Sequence, residues 1–492
     1  MESIIMSDIF LYFIIFLFFL LFLFGSNVTS DRTIRKHMEK EKKRAMHPSV
    51  DAKLIRTKPA EGDFILGKQG SKYVCWNTQN DGHILIIGGS GSGKSSCYII
   101  PFLLINPNAT VFAIDIKGEL VAKGKRKNDP RVCVFSPCDY SGYGFDPFYA
   151  LTANSSEQDK LSTMQTIAFS LIPLGNEKDK FWAISSRNML IGLLLYYYGI
   201  GKQDLIMCID SILGCPIREQ VDEIINSIEP ECNTYKYMNQ FSGMADETLL
   251  SVYSNMANSL TCFSDKNLHW AFSDAPRKVS PNTLEQKKSV FLSIPEHKLA
   301  PWSGALAMIV NLTLDALSKR SENSHRIFFL LDELGRIVSS GGSLDGLVDA
   351  SMTLRSRKVS LCLVIQQIES LRTGFSEDKV ITLVGNCPVK IVLDASSSKT
   401  QKMVCSDWVP KYIQRKQSKS TGSKNRNNSF SFEEKDRLTP SDLMSLTRNG
   451  EAVVITPLGY SMLKKCPYYK DSCLKEKYEL IKKQRKELIE ND

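Results

Sequence analysis

The sequence predicts an α/β fold built around a phosphate-binding loop, with a helical insertion and an N-terminal membrane anchor. Three observations predict it. Short apolar runs are typical of buried strands, one such run is followed directly by a loop of the form GxxxxGK[ST], and helical patterns replace strands over residues 151–287. The chain has 492 residues, 43% hydrophobic and 23% charged. This balance is typical of globular proteins and excludes disordered and fibrous classes.

The predicted anchor occupies residues 1–30. The run Ile9–Phe24 is apolar apart from Tyr12, and as a helix it spans ~24 Å, slightly short of a bilayer core. Only acidic charges precede the run, whereas seven Lys or Arg residues follow within residues 31–44. The positive-inside rule then places the N-terminus outside and the remaining chain in the cytoplasm, as a single pass. A cleaved signal peptide ending near Val28–Ser30 is the rival interpretation, and this charge order opposes it.

Charge and cysteine content restrict the function classes only weakly. The formal net charge is +9, which suits contact with nucleic acid or an anionic membrane, although many proteins with neither partner carry such an excess. The 13 cysteines include no CxxC pair. They therefore predict buried thiols in a reducing compartment, not a zinc site.

Eight apolar runs are predicted to be strands. Each is nearly continuous, without alternation, which is typical of central strands in a parallel sheet covered on both faces. The predicted strands are His83–Ile87, Thr110–Ile116, Val132–Ser136, Val290–Ile294, Ile327–Asp332, Leu361–Ile365, Lys390–Leu393 and Ala452–Thr456. Residues 31–150 and 288–492 are therefore expected to form one nucleotide-binding domain in two parts.

Residues 151–287 are predicted to form an all-α domain inserted between two sheet strands. The predicted helices are Glu157–Leu171, Phe181–Tyr198, Pro216–Ile228, Asn233–Asn239 and Asp246–Phe263. Further along, the polar segment Gln414–Arg437 is predicted to be a flexible loop, for which a solvated connector is favoured over a DNA-binding loop. Cys473–Glu490 is predicted to be a solvated helix.

The phosphate-binding loop is the strongest local signal. The run Gly88–Ser95 matches GxxxxGK[ST] in full, with a strand before it and a helix after it. Its glycines let backbone N–H groups curl around phosphates, and the helix N-terminus adds positive charge. Lys94 is expected to reach the β- and γ-phosphates, and Ser95 to ligate Mg²⁺. The residues expected to contact ATP are Gly88, Gly89, Ser90, Gly91, Ser92, Gly93, Lys94, Ser95 and Ser96.

A carboxylate pair completes the predicted hydrolysis site. Asp332 and Glu333 end the apolar run that begins at Ile327, and this strand is expected beside the phosphate-loop strand. Asp332 is assigned to the Mg²⁺ shell, and Glu333 to orienting and deprotonating the attacking water. Gln366, at the end of another strand, is expected to sense the γ-phosphate or hold the water. Exposed carboxylates at a strand end would be the alternative, which the phosphate loop makes a minor one.

Two arginines precede the strand that Gln366 ends. In a ring of subunits, Arg355 or Arg357 would reach a neighbour's nucleotide and stabilise transition-state charge. Arg357 is the candidate catalytic residue of the two. A surface cation or a salt bridge is an equally good interpretation of each.

In this order, the motifs resemble the TraG/TraD family of type IV secretion coupling proteins, from about Asp81 to Tyr469. The P-loop is followed by Pro101–Leu104 and by Asp115–Leu120, a DxKGEL segment that generic P-loop ATPases lack. The further matching segments are Val132–Pro137, Phe145–Phe148, Phe181-Trp182, Leu331–Arg336, Leu363–Leu371, Gly385-Asn386 and Leu438–Pro440. Each is weak alone, and together they are specific.

The resemblance implies a RecA-like motor core in a ring of six subunits, with the all-α domain facing the substrate. It implies an ATPase at the cytoplasmic base of a secretion channel, moving single-stranded DNA with a covalently attached relaxase. Asp115 and Lys117 are then expected near the nucleotide or the subunit interface. The chain departs from many members by its single predicted span and by lacking a long acidic C-terminal tail.

Other functions remain open at this point. The same motor could deliver protein effectors only, or pump double-stranded DNA as FtsK and HerA do. The DxKGEL segment and the helical insertion favour the coupling protein over the duplex pump. A non-hydrolysing receptor is a further alternative, which the intact Lys94, Ser95, Asp332 and Glu333 oppose.

Overall fold

The computed structural model describes residues 46–78, 82–124, 129–152, 154–174, 180–422 and 425–489, together with Lys36 and Lys40. The predicted anchor at residues 1–30 lies outside the described residues and stays a prediction. Among the residues that are described, no helix is long and apolar enough to cross a bilayer.

The described residues form a large mixed sheet with helices on both faces. The strands are β1 (Ile55–Arg56), β2 (Asp63–Gln69), β3 (Lys72–Asn77), β4 (Ile84–Ile87), β5 (Thr110–Asp115), β6 (Val132–Phe135), β7 (Gly144–Phe145), β8 (Lys278–Val279), β9 (Ser289–Ser293), β10 (Ile327–Leu331), β11 (Val359–Ile365), β12 (Val389–Val392), β13 (Tyr412–Gly422), β14 (Asn425–Lys435), β15 (Glu451–Thr456) and β16 (Gly459–Lys464). In the described chain, twelve of them form one sheet in the order β1-β3-β2-β16-β15-β12-β4-β11-β10-β5-β9-β6.

The central strands of the sheet are parallel. From β12 through β4, β11, β10, β5 and β9 to β6, every neighbouring pair runs in the same direction. All eight predicted strands are present, and the α/β class is confirmed. One orientation is wrong, because β15 runs antiparallel to β12 and forms a hairpin with β16. The two residues between β15 and β16 allow only an antiparallel return, and apolarity alone does not encode strand direction.

The helices fill the connections between these strands. They are α1 (Ile100–Ile105), α2 (Glu119–Gly124), α3 (Glu157–Leu171), α4 (Phe181–Gly199), α5 (Leu205–Gly214), α6 (Ile217–Ser227), α7 (Asn233–Met238), α8 (Asp246–Leu260), α9 (Lys266–His269), α10 (Pro281–Glu285), α11 (Ser303–Ser318), α12 (Leu334–Ser339), α13 (Asp345–Thr353), α14 (Glu377–Gly385), α15 (Ser398–Lys402), α16 (Pro440–Asn449) and α17 (Ser472–Ile489). A run of helices, α3 to α9, separates β6 from β9. The short strands β7 and β8 flank this run and pair in parallel, which joins its two ends.

Two apolar clusters cover the faces of the sheet in the described part of the chain. Along β4, Leu85 and Ile87 belong to one cluster, whereas Ile84 and Ile86 belong to the other. The first cluster also contains the run of helices α3 to α9, and the second contains α1 and part of α17. Because the central strands are parallel, their carboxyl ends lie at one edge of the sheet, where a site can form.

The polar segment Gln414–Arg437 differs from the prediction of a flexible loop. Its backbone pairs as an antiparallel ribbon, β13 with β14, in register from Tyr412 with Lys435 to Gly422 with Asn425. A ribbon of this kind forms from local hydrogen bonds, so its sequence need not carry the apolar pattern on which strand prediction depends.

Candidate nucleotide-binding site

The phosphate-binding loop lies at the carboxyl edge of the sheet. It leaves β4 at Ile87, and the Gly88 N–H donates to the carbonyl of Ile365 on β11 over 3.1 Å. Gly91 and Gly93 have φ angles of 76° and 100°, which L-residues with a side chain rarely adopt. The loop then enters a π-helical turn, Ser95–Ile99, that continues into α1. This is the geometry that turns successive N–H groups toward an anion.

The Lys94 side chain lies inside this loop. Its Nζ donates to the carbonyls of Gly88, over 2.8 Å, and Gly89, over 3.0 Å. Only 7% of the residue is exposed. The ammonium group therefore stands within the same loop whose N–H groups would hold phosphates.

The predicted metal ligands meet directly. The Ser95 hydroxyl donates to Asp332 Oδ2 over 3.2 Å, and Asp332 follows β10. The strand β11 lies between β10 and β4, so the prediction that the carboxylate strand adjoins the loop strand is wrong. The contact still forms, because parallel strands end at one edge and Ser95 reaches across it.

A buried carboxylate, Asp115, and a half-buried carboxylate, Asp332, share this edge of the sheet. Desolvation, followed by the charge of Glu333, raises the pKa of Asp332 to about 6. Desolvation also raises the pKa of Asp115 to about 6, with the charge of Asp332 contributing. Asp115 Oδ2 accepts from the N–H groups of Leu120 (2.9 Å) and Val121 (3.1 Å). Asp115 thus caps the start of α2, while Lys117 is exposed in the preceding turn.

Glu333 occupies an unusual backbone position. Its φ is 57° and its ψ is 33°, a left-handed conformation that costs a non-glycine residue roughly 1–2 kcal/mol. Gln366 Nε2 donates to Glu333 Oε2 over 3.2 Å. The strained turn and this hydrogen bond together bring the carboxylate of Glu333 beside the ends of β10 and β11.

The two arginines lie away from this site in their own chain. Arg357 precedes β11, whose seven residues span ~23 Å before the carboxyl edge. Its guanidinium donates to the Arg320 carbonyl over 3.0 Å. It also lines a cavity of about 810 Å³ with Asp315 and Asp349. Arg355, which also precedes β11, is exposed.

Sequence reasoning missed Asp394 and Lys465, which contact the loop, and Thr447, which contacts Asp394. Asp394 Oδ1 accepts from the Gly89 N–H over 2.7 Å, and Thr447 lies 3.3 Å from Asp394 Oδ2. Lys465 Nζ donates to the Ser92 carbonyl over 2.9 Å. A signal for Asp394 was available, since it directly follows the predicted strand Lys390–Leu393. Thr447 and Lys465 carry no such signal, because only the folded chain brings them to the loop.

The donor set fits a nucleotide with a magnesium ion. Mg²⁺ is usually held by one or two protein oxygens together with phosphates and water, and Ser95 and Asp332 provide such a pair. Among the described residues, no group of three or more His, Cys, Asp or Glu side chains forms a separate metal site. The glycine-rich loop and Lys94 supply the donors that phosphates need.

Comparison with protein families gives one match over nearly the whole chain. The family described as type IV secretory system conjugative DNA transfer matches residues 29–491. No curated individual protein is similar enough in sequence to count as a relative.

Solved structures of a bacterial conjugative coupling protein, TrwB, share the fold. An unbound form lacking its first 70 residues aligns with a TM-score of 0.63 at 14% identity, covering 83% of this chain and 89% of that one. TrwB with a non-hydrolysable ATP analogue gives 0.64 at 14% identity, covering 86% and 93%. TrwB with ADP and Mg²⁺ gives 0.62 with the same identity and coverage. At this identity the likeness establishes the fold alone.

Proposed function

Because the chain belongs to the type IV secretory system conjugative DNA transfer family, we propose that it is a membrane-anchored ATPase that moves relaxase-bound single-stranded DNA into a secretion channel. Membership confirms the family predicted from the motifs and makes the chain a DNA-transfer coupling protein. The observation that carries the ATPase proposal is the contact between Ser95 and Asp332 at the phosphate loop. The TrwB complexes with an ATP analogue and with ADP and Mg²⁺ support the choice of cofactor.

The positions of the side chains support the proposed catalytic roles. Lys94 would exchange its two loop carbonyls for β- and γ-phosphate oxygens, and Ser95 and Asp332 would hold Mg²⁺. The bound ion would neutralise charge on those oxygens. Glu333 would orient and deprotonate the attacking water, with Gln366 holding its carboxylate in place.

The domain organisation belongs to the same proposal. Residues 31–150 and 288–492 would form a RecA-like nucleotide-binding domain, residues 151–287 an all-α domain facing the incoming substrate, and residues 1–30 a single-pass anchor. Six copies would form a ring, in which Arg357 or Arg355 reaches the nucleotide of the next subunit. Because Arg357 precedes β11, it lies ~23 Å from the site of its own chain, and this distance supports a role in trans. The catalytic domain would lie in the cytoplasm, against the channel components.

ATP hydrolysis by the full-length protein in mild detergent tests this function. Lys94→Ala is the control, since it removes the phosphate-binding ammonium. We expect hydrolysis that rises with single-stranded DNA and vanishes in the variant, because phosphoryl transfer depends on positioning and electrostatics. Oligomeric state is measured in the same samples.

The alternatives predict different outcomes of the same assay. Stimulation by duplex alone would indicate a double-stranded DNA pump. If an assembled ring hydrolyses ATP at a rate that depends on Lys94 but does not change with DNA, protein cargo would be indicated. Nucleotide binding without turnover would indicate a receptor, and the proposal of an ATPase would then be wrong.

A further inference from the structure

We infer that Asp394 is a positioning residue for the phosphate-binding loop, through which the C-terminal part of the chain sets the affinity of the loop for ATP. The inference rests on the proposed ATPase function for its meaning. It adds residues that no part of the P-loop motif contains. Both Asp394 and its counterpart Lys465 lie about 300 residues or more beyond the loop in sequence.

The carboxylate of Asp394 holds the start of the loop. The strand β12 pairs in parallel with β4, with Val392 opposite Ile87, so the chain segments that follow both strands run side by side. Asp394 Oδ1 accepts from the Gly89 N–H over 2.7 Å. A Cβ on Gly89 would stand 3.4 Å from the same oxygen, at van der Waals distance, so the carboxylate lies directly against the loop backbone.

A hydroxyl on α16 keeps this carboxylate in place. Thr447 Oγ1 lies 3.3 Å from Asp394 Oδ2 and 3.1 Å from the carbonyl of Leu393. The hydroxyl therefore contacts both the side chain and the backbone at the end of β12. Because the two oxygens of Asp394 face different partners, its orientation relative to Gly89 is defined.

An ammonium group holds the other end of the same turn. Ser92 donates its N–H to the Gly89 carbonyl over 3.3 Å, which closes the turn, and its own carbonyl accepts from Lys465 Nζ over 2.9 Å. Lys465 is fixed in turn by a backbone bond from its N–H to the Gly450 carbonyl, at 2.9 Å. Charged side chains of opposite sign thus hold the two ends of the turn from Gly89 to Ser92.

This arrangement predicts an effect on binding more than on chemistry. Charge-assisted hydrogen bonds are about twice as strong as neutral ones, so the turn is held firmly in one shape. The described contacts of Asp394 do not include Lys94, Ser95, Asp332 or Glu333. Loss of the carboxylate should therefore make the phosphate-binding loop more flexible and leave these four side chains in place.

Two substitutions in the full-length protein test the inference. Asp394→Ala should raise the KM for ATP about tenfold, the effect of one charge-assisted bond, with kcat within about threefold. Asp394→Asn should restore part of the affinity, with a KM about threefold above the wild type, because its amide oxygen can accept from the Gly89 N–H in a neutral bond of about half the strength. Asp407→Ala, at an exposed aspartate, is the matched control and should leave both constants unchanged.

Amide hydrogen exchange supplies a readout that does not depend on turnover. Without nucleotide, the peptide covering residues 88–96 should exchange faster in Asp394→Ala than in the wild type, and at an intermediate rate in Asp394→Asn. An unchanged KM and exchange in Asp394→Ala would overturn the inference. So would a lowered kcat and lowered melting temperature at unchanged KM, which indicate general destabilisation. A wild type that does not hydrolyse ATP would defeat the proposed function, whereas the exchange experiment would still decide the role of Asp394.

Discussion

Single residues at the carboxyl edge of the sheet combine strain, burial and charge in a small space. Glu333 takes a left-handed conformation, and the neighbouring Asp332 is a desolvated carboxylate whose pKa is raised to about 6. A nearby divalent cation would favour the charged form of Asp332 and offset that desolvation. Strain and shifted pKa values cluster at functional sites more than elsewhere, which agrees with the roles proposed for these two residues.

Glu333→Gln should separate ATP binding from hydrolysis. An amide cannot take a proton from water, and a general base contributes about 10²–10⁴-fold to a rate. We expect single-turnover hydrolysis to fall by at least 100-fold while nucleotide affinity stays within about threefold. Gln366→Ala, which only frees the Glu333 carboxylate, should cost less than Glu333→Gln. Hydrolysis by Glu333→Gln at near wild-type rates would show that another group activates the water.

Mixing inactive subunits should show whether Arg357 acts in trans. Arg357→Ala and Lys94→Ala should each be inactive alone, because one lacks the arginine and the other the phosphate-binding lysine. In a mixed ring, an intact loop on one subunit meets an intact arginine on the next, so hydrolysis should reappear. Arg355→Ala in the same mixtures is the comparison. If mixing rescues Arg355→Ala and not Arg357→Ala, then Arg355 is the arginine that acts in trans.

The sequence predicted some strands and helices and missed others. The central strands were located because they are near-continuous apolar runs, a consequence of burial on both faces. The strands β2 and β3, close to one end of the strand order, mix apolar and polar residues, and a register shift between Ile65 and Gly67 interrupts their pairing. The pairing of β16 with β2 is defined by a single register pair, Lys464 with Lys68. Pairings between segments so distant in sequence leave no local pattern to detect.

The helix α5 was also missed, for a related reason. It is apolar over most of its length, with Leu205, Ile206, Cys208, Ile209 and Ile212 all buried. Its exposed positions also include apolar residues, Met207 and Leu213, and this weakens the alternation of apolar and polar residues that identifies surface helices. Its start is nevertheless marked, because Asp204 Oδ1 accepts from the N–H of Ile206 over 2.9 Å.

The buried His83 contacts two further elements and should make stability depend on pH. Its Nδ1 accepts from the Leu361 N–H on β11 over 3.0 Å, and its Nε2 lies 3.0 Å from the carbonyl of Ser351 on α13. Burial lowers its pKa to about 4. Between that value and the unfolded pKa of about 6.5, the unfolded chain binds the extra proton. The stability from His83 is therefore full above pH 6.5 and is lost as the pH falls toward 4.

Comparison with His83→Gln isolates this contribution. The raised pKa values of Asp115 and Asp332 have the opposite effect on stability. Below about pH 6 these carboxylates bind protons in the folded state, and their protonation stabilises the fold because it removes the cost of burying their charge. Both proteins share that term, so it cancels in their difference. Between pH 7.5 and 4.5, the wild type should lose about 2 kcal/mol more unfolding free energy than the variant, measured by urea denaturation. Parallel losses would show that His83 is not the group responsible.

For the molecule as a whole, the site is assembled from segments far apart in the chain. The motifs predicted the loop, the carboxylate pair and Gln366, because each carries its own residue pattern at a strand end. They did not predict that β11 separates the loop strand from Asp332, nor that Asp394 and Lys465 contact the loop. Those facts depend on strand order, which a local motif does not encode. The residues that meet at this edge of the sheet were thus predicted from the sequence, whereas the residues that support the loop were not.

A motor that advances along a strand must hold phosphates, not bases, and this requirement predicts how the whole molecule binds DNA. With a net charge of +9, binding should be dominated by counterion release, with a slope of about −0.7 per phosphate contact on single strands. For about four contacts, raising salt from 50 to 200 mM should weaken binding roughly 50-fold. Fluorescence anisotropy with full-length protein measures this.

The same titration distinguishes backbone binding from base recognition. Oligothymidine and a mixed-sequence strand of equal length should give similar affinities and similar salt slopes, because each presents the same phosphates. Lys94→Ala should keep that slope, since its ammonium serves the nucleotide loop and not the DNA. Binding that ignores salt, or that follows base sequence, would require contacts to base edges, and a translocating motor would then have to break those contacts at every step.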